Sequence, residues 1–164
     1  MDRIESIKKV IRDVPDFPKP GIIFKDISPL LKNPKLFADS IDLFAEMVVS
    51  KKIDLVAGIE ARGFIFGEAL ATRLNAGFVP IRKPGKLPYK TFRTEYELEY
   101  GTDIIEVHQD AFPNNASVFL IDDLLATGGT AGAAIQLIKK AGGHISEVGF
   151  LIELSFLNGR DHLL

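Results

Sequence analysis

The 164-residue sequence contains no cysteine and no tryptophan. The absence of cysteine excludes a disulfide framework, a thiolate zinc site and a cysteine nucleophile. No apolar run approaches the roughly 20 residues that span a bilayer, and residues 1–6 lack the apolar core of a signal peptide. Neither sign of charge dominates, because 20 lysines and arginines stand against 22 acidic residues. Partners such as nucleic acid or a membrane are therefore not expected, and the cytoplasm is the expected compartment.

The composition that remains is typical of a globular domain. Hydrophobic residues make up 46% of the chain and charged residues 26%, enough to bury a core without disulfides or structural metals. The length is ordinary for one domain and too short for two. We therefore expect a single domain over residues 1–164.

Hydrophobic spacing predicts helices that alternate with strands. Helices are predicted over residues 4–14, 34–48, 64–74 and about 131–141, and strands over 53–59, 78–81, 96–100, 102–108, 117–121 and 145–153. The strands on either side of Gly101 alternate like an antiparallel pair. Residues 82–95 form a basic loop that is long enough to act as a moving lid. The alternation of strands and helices predicts an α/β domain with a mostly parallel sheet.

The most informative segment follows the apolar strand predicted at 117–121. Two adjacent carboxylates, Asp122 and Asp123, are expected at its carboxyl end, where open α/β sheets bind ligands. The turn that comes next, Thr127–Thr130, leads directly into a helix. Its glycines let backbone N–H groups turn inward, and the start of the helix adds about half a positive charge. Such a loop suits a phosphate monoester and the acids suit vicinal hydroxyls, so a sugar phosphate is the predicted ligand.

Each part of this segment also has a structural interpretation. A turn with two glycines is often only a tight connection, and an Asp-Asp pair at a strand end is often a metal ligand or solvated. The chain has neither the Gly-Lys-[Ser/Thr] of a Walker loop nor a Gly-x-Gly-x-x-Gly fingerprint after a strand. The combination of strand, acid pair and Ala-Thr-Gly-Gly-Thr is much more specific than any one part.

The segment Asp122–Thr130 resembles the phosphoribosyl-diphosphate signature of the type I phosphoribosyltransferases. Its residues resemble the form of that signature found in members that act on adenine. The resemblance covers nearly the whole chain. Residues 17–27 resemble the base-binding segment of that family, and 60–64 resemble its diphosphate loop. Residues 82–88 and 97–101 resemble the two ends of its mobile lid.

The resemblance implies a fold and an activity. The fold would be a central, mostly parallel sheet flanked by helices, with a small N-terminal hood (about 1–33) and a lid loop (about 82–101). The enzyme, a pentosyltransferase of purine salvage, would convert adenine and 5-phosphoribosyl 1-diphosphate to AMP and diphosphate. Mg²⁺ would be held mainly by substrate and water rather than by protein ligands. The chain would form a homodimer in which Arg82 serves the neighbouring subunit's site.

The same resemblance assigns roles to individual residues. It implies that Glu99 accepts the proton of the base and that Tyr100 belongs to the lid. It also implies a cis peptide between Glu60 and Ala61. Adenine would contact Ile23, Phe24, Lys25 and Leu157. Phosphoribosyl diphosphate would contact Glu60, Ala61, Arg62, Gly63, Arg82, Lys83, Lys86, Asp122, Asp123, Ala126, Thr127, Gly128, Gly129 and Thr130.

Taken singly, several of these residues have simpler interpretations. Arg62 alone resembles a surface ion-pair partner, and the basic lid resembles a solvated loop. Phe24 and Leu157 would be core residues, and Glu99 an exposed strand residue. The three histidines, at 108, 144 and 162, share no spacing with another ligand, so we predict that they have no function.

The sequence departs from the family pattern at two places. Lys25 stands where the family often has arginine. Relatives usually continue beyond the counterpart of residues 156–160, so the chain is either a short member or one whose C-terminus is left out.

Two rival functions remain, namely transfer to another purine base and a non-catalytic sensor of phosphoribosyl diphosphate. The net charge of −2 and the presence of Glu99 favour an enzyme over a sensor.

Overall fold

A computed structural model describes residues 2–98 and 101–163. The chain divides into two compact units, Met1–Phe44 and Ala45–Leu164. Within the described residues, no helix is both long and apolar enough to cross a membrane.

The first unit begins with a helix that is shorter than the sequence predicts. Helix α1 (Arg3–Val10) is followed by strand β1 (Arg12–Pro15), which pairs antiparallel with β2 (Ile23–Asp26). The prediction of helix through residue 14 is therefore wrong. Pro15 accounts for Val14 only, because a residue that precedes proline is forced towards an extended conformation; residues 12–15 instead pair with β2 as a strand. The chain is already extended at Ile11, where φ is −71° and ψ is 123°.

Two further helices start in the first unit. Helix α2 (Ser28–Leu31) is a single turn, and α3 (Pro34–Glu46) follows it. The side chain of Asn33 accepts the backbone N–H of Leu36 at 3.1 Å, as a helix-capping asparagine does. The predicted start of this helix is confirmed, although the helix ends at Glu46 rather than at Val48.

The second unit contains a four-stranded sheet with the order β4-β3-β7-β8, in which every pairing is parallel. Its elements are β3 (Leu55–Ile59), α4 (Arg62–Leu74), β4 (Gly77–Ile81), β7 (Ser117–Leu125), α5 (Gly129–Lys140) and β8 (His144–Glu153). The predicted parallel sheet flanked by helices is confirmed. One boundary matters for function: β7 continues past Ile121 to Leu125, so Asp122 and Asp123 lie within the last part of the strand.

An antiparallel hairpin accompanies the sheet. Strand β5 (Thr91–Glu97) pairs with β6 (Thr102–His108), which confirms the predicted pair around Gly101. However, β5 begins within the stretch that was predicted to be loop, 82–95. Phe92 and Tyr96 pack against the core, and the charged side chains of Arg93 and Glu95 are exposed. Polar Thr94 lies on the same face as the two aromatic residues, so the apolar alternation is weak. Two short 3-10 helices, Ser155–Leu157 and Gly159–His162, follow β8 and were not predicted.

Helix α4 lies close to the sheet because glycines leave room for one aromatic ring. A Cβ atom on Gly58 or on Gly67 would lie only 2.8 or 2.7 Å from Cε2 of Phe78. The Phe78 ring also meets Phe64 edge to face, with ring centroids 5.7 Å apart. The ring thus occupies the space that the two glycines leave, although Phe78 is not fully buried.

We predict that Gly67→Ala destabilises the protein, whereas Gly132→Ala stabilises it. Both glycines lie in helices, so each substitution gains about 0.5–1 kcal/mol of helix propensity. At Gly132 a Cβ meets nothing within 4 Å, but at Gly67 it displaces the Phe78 ring. Overpacking of this kind costs about 1–3 kcal/mol. Urea unfolding of both variants measures the difference, and equal stabilisation by both would contradict the close packing.

Candidate active site

A cavity of about 370 Å³ lies at the carboxyl ends of β3 and β7. These strands are parallel neighbours, so the segments that follow them leave the sheet at the same edge. Most of the predicted sugar-phosphate residues line this cavity: Glu60, Ala61, Arg62, Lys83, Asp122, Asp123, Ala126, Thr127, Gly128, Gly129 and Thr130. The structure therefore brings together two segments that are about 60 residues apart in the sequence.

The loop between β7 and α5 offers backbone N–H groups to the cavity. Gly128 has a φ of 89°, a left-handed conformation that glycine adopts without a steric penalty. Helix α5 begins at the next residue, so its first N–H groups have no partner within the helix. Among the described residues, no hydrogen bond uses the N–H of Gly129 or Thr130 as donor. These groups and the helix dipole make the loop a site for an anion.

The acid pair is joined to the segment after β3. Nε of Arg62 lies 2.7 Å from Oδ2 of the buried Asp123. Oδ1 of Asp122 accepts the backbone N–H of Asp123 at 2.8 Å. Burial, followed by the negative charge of Asp123, raises the pKa of Asp122 to about 8. Two carboxyl groups this close together disfavour a negative charge on Asp122.

Gly63 allows α4 to begin directly beside this acid pair. A Cβ atom at position 63 would lie 2.9 Å from Oδ1 of Asp122 and 3.1 Å from the carbonyl oxygen of Ile121. Any other residue would push the first turn of α4 away from β7. Gly63 is not among the residues that line the cavity, and its predicted contact with phosphoribosyl diphosphate stays a prediction.

Glu60 links the segment after β3 to the basic loop. The peptide between Glu60 and Ala61 is cis, as the resemblance implies. The carboxylate of Glu60 accepts hydrogen bonds from Nε of Arg82, at 2.7 Å, and from Nζ of Lys86. Burial alone would raise the pKa of Glu60, but these two cations lower it below its ordinary value. Arg82 and Lys86 therefore lie next to the cavity, although they are not among the residues that line it.

Lys83 contacts two residues, Asp103 and Tyr96, that the sequence analysis did not identify as site residues. Its ammonium group forms an ion pair with Asp103, and the hydroxyl of Tyr96 lies 3.3 Å from Oδ2 of the same carboxylate. Burial works against both charges, yet the pairing raises the pKa of Lys83 and lowers that of Asp103. Tyr96 and Asp103 face each other across the hairpin and line the cavity. The two-residue alternation of β5 and β6 is the signal that could have identified them.

The residues predicted to contact adenine lie in other segments. Ile23, Phe24 and Lys25 belong to β2 of the first unit, where Nζ of Lys25 lies 2.7 Å from Oδ1 of Asp13. Leu157 ends the first 3-10 helix and is partly exposed. Glu99 and Tyr100, predicted as the proton acceptor and a lid residue, lie outside the described residues.

The donor set suits a hard cation that keeps part of its own hydration. In the described part of the chain, no three His, Cys, Asp or Glu side chains are arranged to hold a metal ion. Four acidic residues do line the cavity, namely Glu60, Asp103, Asp122 and Asp123. Mg²⁺ typically takes one or two carboxylates, together with substrate phosphates and water, rather than a complete protein cage. The residues present fit such an ion.

Comparisons with known proteins agree with this geometry. The family profile of the phosphoribosyl transferase domain matches residues 26–153. A curated relative from Acidobacterium capsulatum, adenine phosphoribosyltransferase, is 57% identical over 157 residues, which cover 96% of this chain and 87% of that protein.

Solved structures give the same result. Adenine phosphoribosyltransferase from Thermoanaerobacter pseudethanolicus superposes with a TM-score of 0.95 at 54% identity, covering 98% of this chain and 93% of that one. The enzyme from Saccharomyces cerevisiae, solved with adenine and an imino-altritol bisphosphate, has a TM-score of 0.95 at 42% identity, with 99% and 94% covered. High identity over nearly the full length, a shared fold and a matching family profile lead to one assignment: the chain belongs to the adenine phosphoribosyltransferases of the phosphoribosyl transferase family.

Proposed function

We propose that this chain transfers the 5-phosphoribosyl group of phosphoribosyl diphosphate to adenine, producing AMP and diphosphate as a step of purine salvage. N9 of adenine bonds to the anomeric carbon while the bond from that carbon to diphosphate breaks, and adenine loses one proton. The observation that carries the proposal is the cavity in which an acid pair at the end of β7 adjoins the N-terminus of α5, in a chain of this family.

The 5'-phosphate and the ribose are assigned to the segment after β7. The N–H groups of Ala126–Thr130 and the two threonine hydroxyls are suitable donors to a phosphate. Asp122 and Asp123 lie beside them and can accept the two ribose hydroxyls. The reacting sugar gains positive charge as diphosphate leaves, and the acid pair offsets that charge. Arg62 fixes Asp123 in place through their 2.7 Å ion pair.

The diphosphate is assigned to residues 60–63 and to three basic side chains, Arg82, Lys83 and Lys86. Each of these three cations forms a hydrogen bond with a carboxylate of this chain, Glu60 or Asp103. Diphosphate therefore has to compete with, or join, existing ion pairs. Mg²⁺, held by Asp122 or Asp123 together with substrate oxygens and water, would neutralise part of the charge on the leaving group.

Adenine is assigned to Ile23, Phe24, Lys25 and Leu157, with Phe24 and Leu157 as the two apolar surfaces that enclose the ring. We propose Glu99 as the acceptor of the proton on N7, which leaves a lone pair on N9 free to attack. Tyr100 belongs to the proposed lid (about 82–101), and residues of about 1–33 form the proposed hood. These roles rest on the family resemblance.

The proposed working form is a cytoplasmic homodimer, in which Arg82 serves the neighbouring site. Analytical ultracentrifugation of the purified protein measures the oligomeric state directly. In the single chain Nε of Arg82 bonds Glu60 of the same subunit, so service to a neighbour would use the remaining N–H groups of the guanidinium or require this bond to open.

Adenine is expected to be the preferred base. With adenine and phosphoribosyl diphosphate, the purified protein should form AMP and diphosphate in equal amounts, which chromatography and a diphosphate assay measure. Hypoxanthine, guanine and xanthine serve as comparison bases. Turnover with these 6-oxopurines alone would contradict the choice of base. Binding of phosphoribosyl diphosphate without turnover of any base would instead indicate a sensor.

Glu99→Gln is expected to lower kcat for AMP synthesis by about 10²–10⁴-fold, the usual contribution of a general base. Glutamine keeps the size of the side chain but cannot take a proton at neutral pH. The KM for phosphoribosyl diphosphate should change much less. Glu97→Gln is the matched control, because Glu97 is a nearby exposed carboxylate. Full single-turnover chemistry in Glu99→Gln would mean that the proton goes to another acceptor.

Asp122→Asn is expected to change how stability depends on pH. Because the pKa of Asp122 is raised, the folded protein retains a proton that the unfolded chain has lost between the ordinary pKa of 3.8 and about 8. The free energy of unfolding therefore falls as pH rises through this window. Asparagine stays neutral at every pH. The free energy of unfolding of the variant, relative to that of the wild type, should therefore rise by at least about 1 kcal/mol between about pH 5 and pH 8.

Urea unfolding across this pH range tests the prediction. Asp110→Asn, at an exposed carboxylate, is the control and should follow the wild-type profile. Parallel profiles for Asp122→Asn and the wild type would show that Asp122 is ionised throughout.

A further inference from the structure

The 3-10 turn Gly159–His162, here called the supporting turn, packs against the phosphate loop. Nδ1 of His162 lies 2.5 Å from the carbonyl oxygen of Thr127. The backbones meet equally closely, because a Cβ on Gly128 would lie 2.6 Å from the carbonyl oxygen of Gly159. A Cβ on Gly159 would in turn overlap the carbonyl oxygen of Ala126. The loop and the supporting turn therefore fit together without space between them.

The supporting turn is fixed to the same sheet that carries the loop. The guanidinium group of Arg160 binds both oxygens of Glu153, at 3.1 and 2.6 Å. Glu153 is the last residue of β8. The next residue, Leu154, donates its N–H to the carbonyl oxygen of Leu125 at the end of β7, at 2.9 Å. His162 therefore approaches Thr127 from a position that the ends of β7 and β8 define.

The hydrogen bond at Thr127 has a consequence for the next N–H group. The Thr127–Gly128 peptide is trans, since the cis peptides of the described chain lie at Phe17–Pro18 and Glu60–Ala61. In a trans peptide the C=O and N–H bonds point in opposite directions. When His162 holds the Thr127 carbonyl, the N–H of Gly128 points in the opposite direction within the same peptide plane.

We propose that His162 is a positioning residue for the phosphate loop. Its Nδ1–H donates to the carbonyl of Thr127 and thereby holds the N–H of Gly128 in the orientation that binds the 5'-phosphate of the substrate. The inference rests on the proposed function, which assigns the 5'-phosphate to residues 126–130. Sequence spacing gave no reason to select His162, because its partner lies 35 residues earlier in the chain.

The chemistry of the contact indicates which substitutions separate positioning from packing. A carbonyl oxygen only accepts hydrogen bonds, so Nδ1 must carry a hydrogen. The side-chain amide of asparagine places an N–H donor at about the distance of Nδ1 from the backbone. Leucine has a similar size but no donor. His162→Asn should therefore preserve the contact, and His162→Leu should remove it.

The test compares the wild type with His162→Leu and His162→Asn, and uses His144→Leu as a control at an exposed histidine on β8. Steady-state kinetics give kcat and the KM for phosphoribosyl diphosphate. Calorimetry gives the Kd of ribose 5-phosphate, which carries the phosphate without the leaving group. Inhibition by diphosphate reports on the other half of the site.

His162→Leu is expected to raise both the KM for phosphoribosyl diphosphate and the Kd of ribose 5-phosphate by about 3- to 10-fold, the range that one net hydrogen bond supports. Values of kcat and diphosphate inhibition should stay within about twofold of the wild type. His162→Asn and His144→Leu should bind ribose 5-phosphate like the wild type.

Two outcomes would overturn the proposal. In one, His162→Leu binds ribose 5-phosphate as tightly as the wild type. In the other, His162→Asn is as weak as His162→Leu, which means that ring packing and not the donor matters. A wild-type protein that forms no AMP would refute the proposed function instead, and the binding of ribose 5-phosphate would still decide the role of His162.

Discussion

The parallel pairing of β3 with β7 is the constraint on which the site depends. Because the two strands are hydrogen-bonded neighbours, the turn into α4 and the loop into α5 leave the sheet side by side. Arg62 at the start of α4 then reaches Asp123 near the end of β7, at 2.7 Å. A change of register between the strands would separate these charges and leave Asp123 buried without its cation. The register of the sheet and the electrostatics of the cavity are therefore set together.

The two anionic ends of the proposed substrate meet different environments. Among the described residues, the N–H groups of Gly129 and Thr130 donate to no other group, so a 5'-phosphate can bind them without displacing an internal hydrogen bond. Arg82 and Lys86, in contrast, already bond Glu60, and Lys83 already bonds Asp103. Diphosphate therefore meets cations that are already paired, and it either joins these ion pairs or replaces them. This division suits a reaction in which one phosphate stays bound while the diphosphate leaves.

Sequence patterns predicted the central sheet and the phosphate loop because both depend on local signals, namely buried apolar runs and glycines before a helix. They were less successful in β5, where a polar residue interrupts the apolar face, and over residues 12–15, where pairing with β2 replaces the predicted helix. Contacts such as Lys83 with Asp103 and His162 with Thr127 join residues that are distant in the chain. No spacing rule predicts such pairs, because the folded register alone brings them together.

The proposed function assigns the phosphate and the base to different parts of the chain. All residues except proline have a backbone N–H group, but a loop that turns several of these groups towards a phosphate favours glycines. Such a loop is therefore visible in the sequence. A base is distinguished by a few hydrogen-bond donors and acceptors, and the glycines of the phosphate loop do not determine which residues supply them. Lys25, predicted to contact adenine, already bonds Asp13 at 2.7 Å, so it would contact a base through its remaining N–H groups or after that ion pair opens. Substitutions that change the preferred base are therefore expected at residues 23–25 rather than at 126–130.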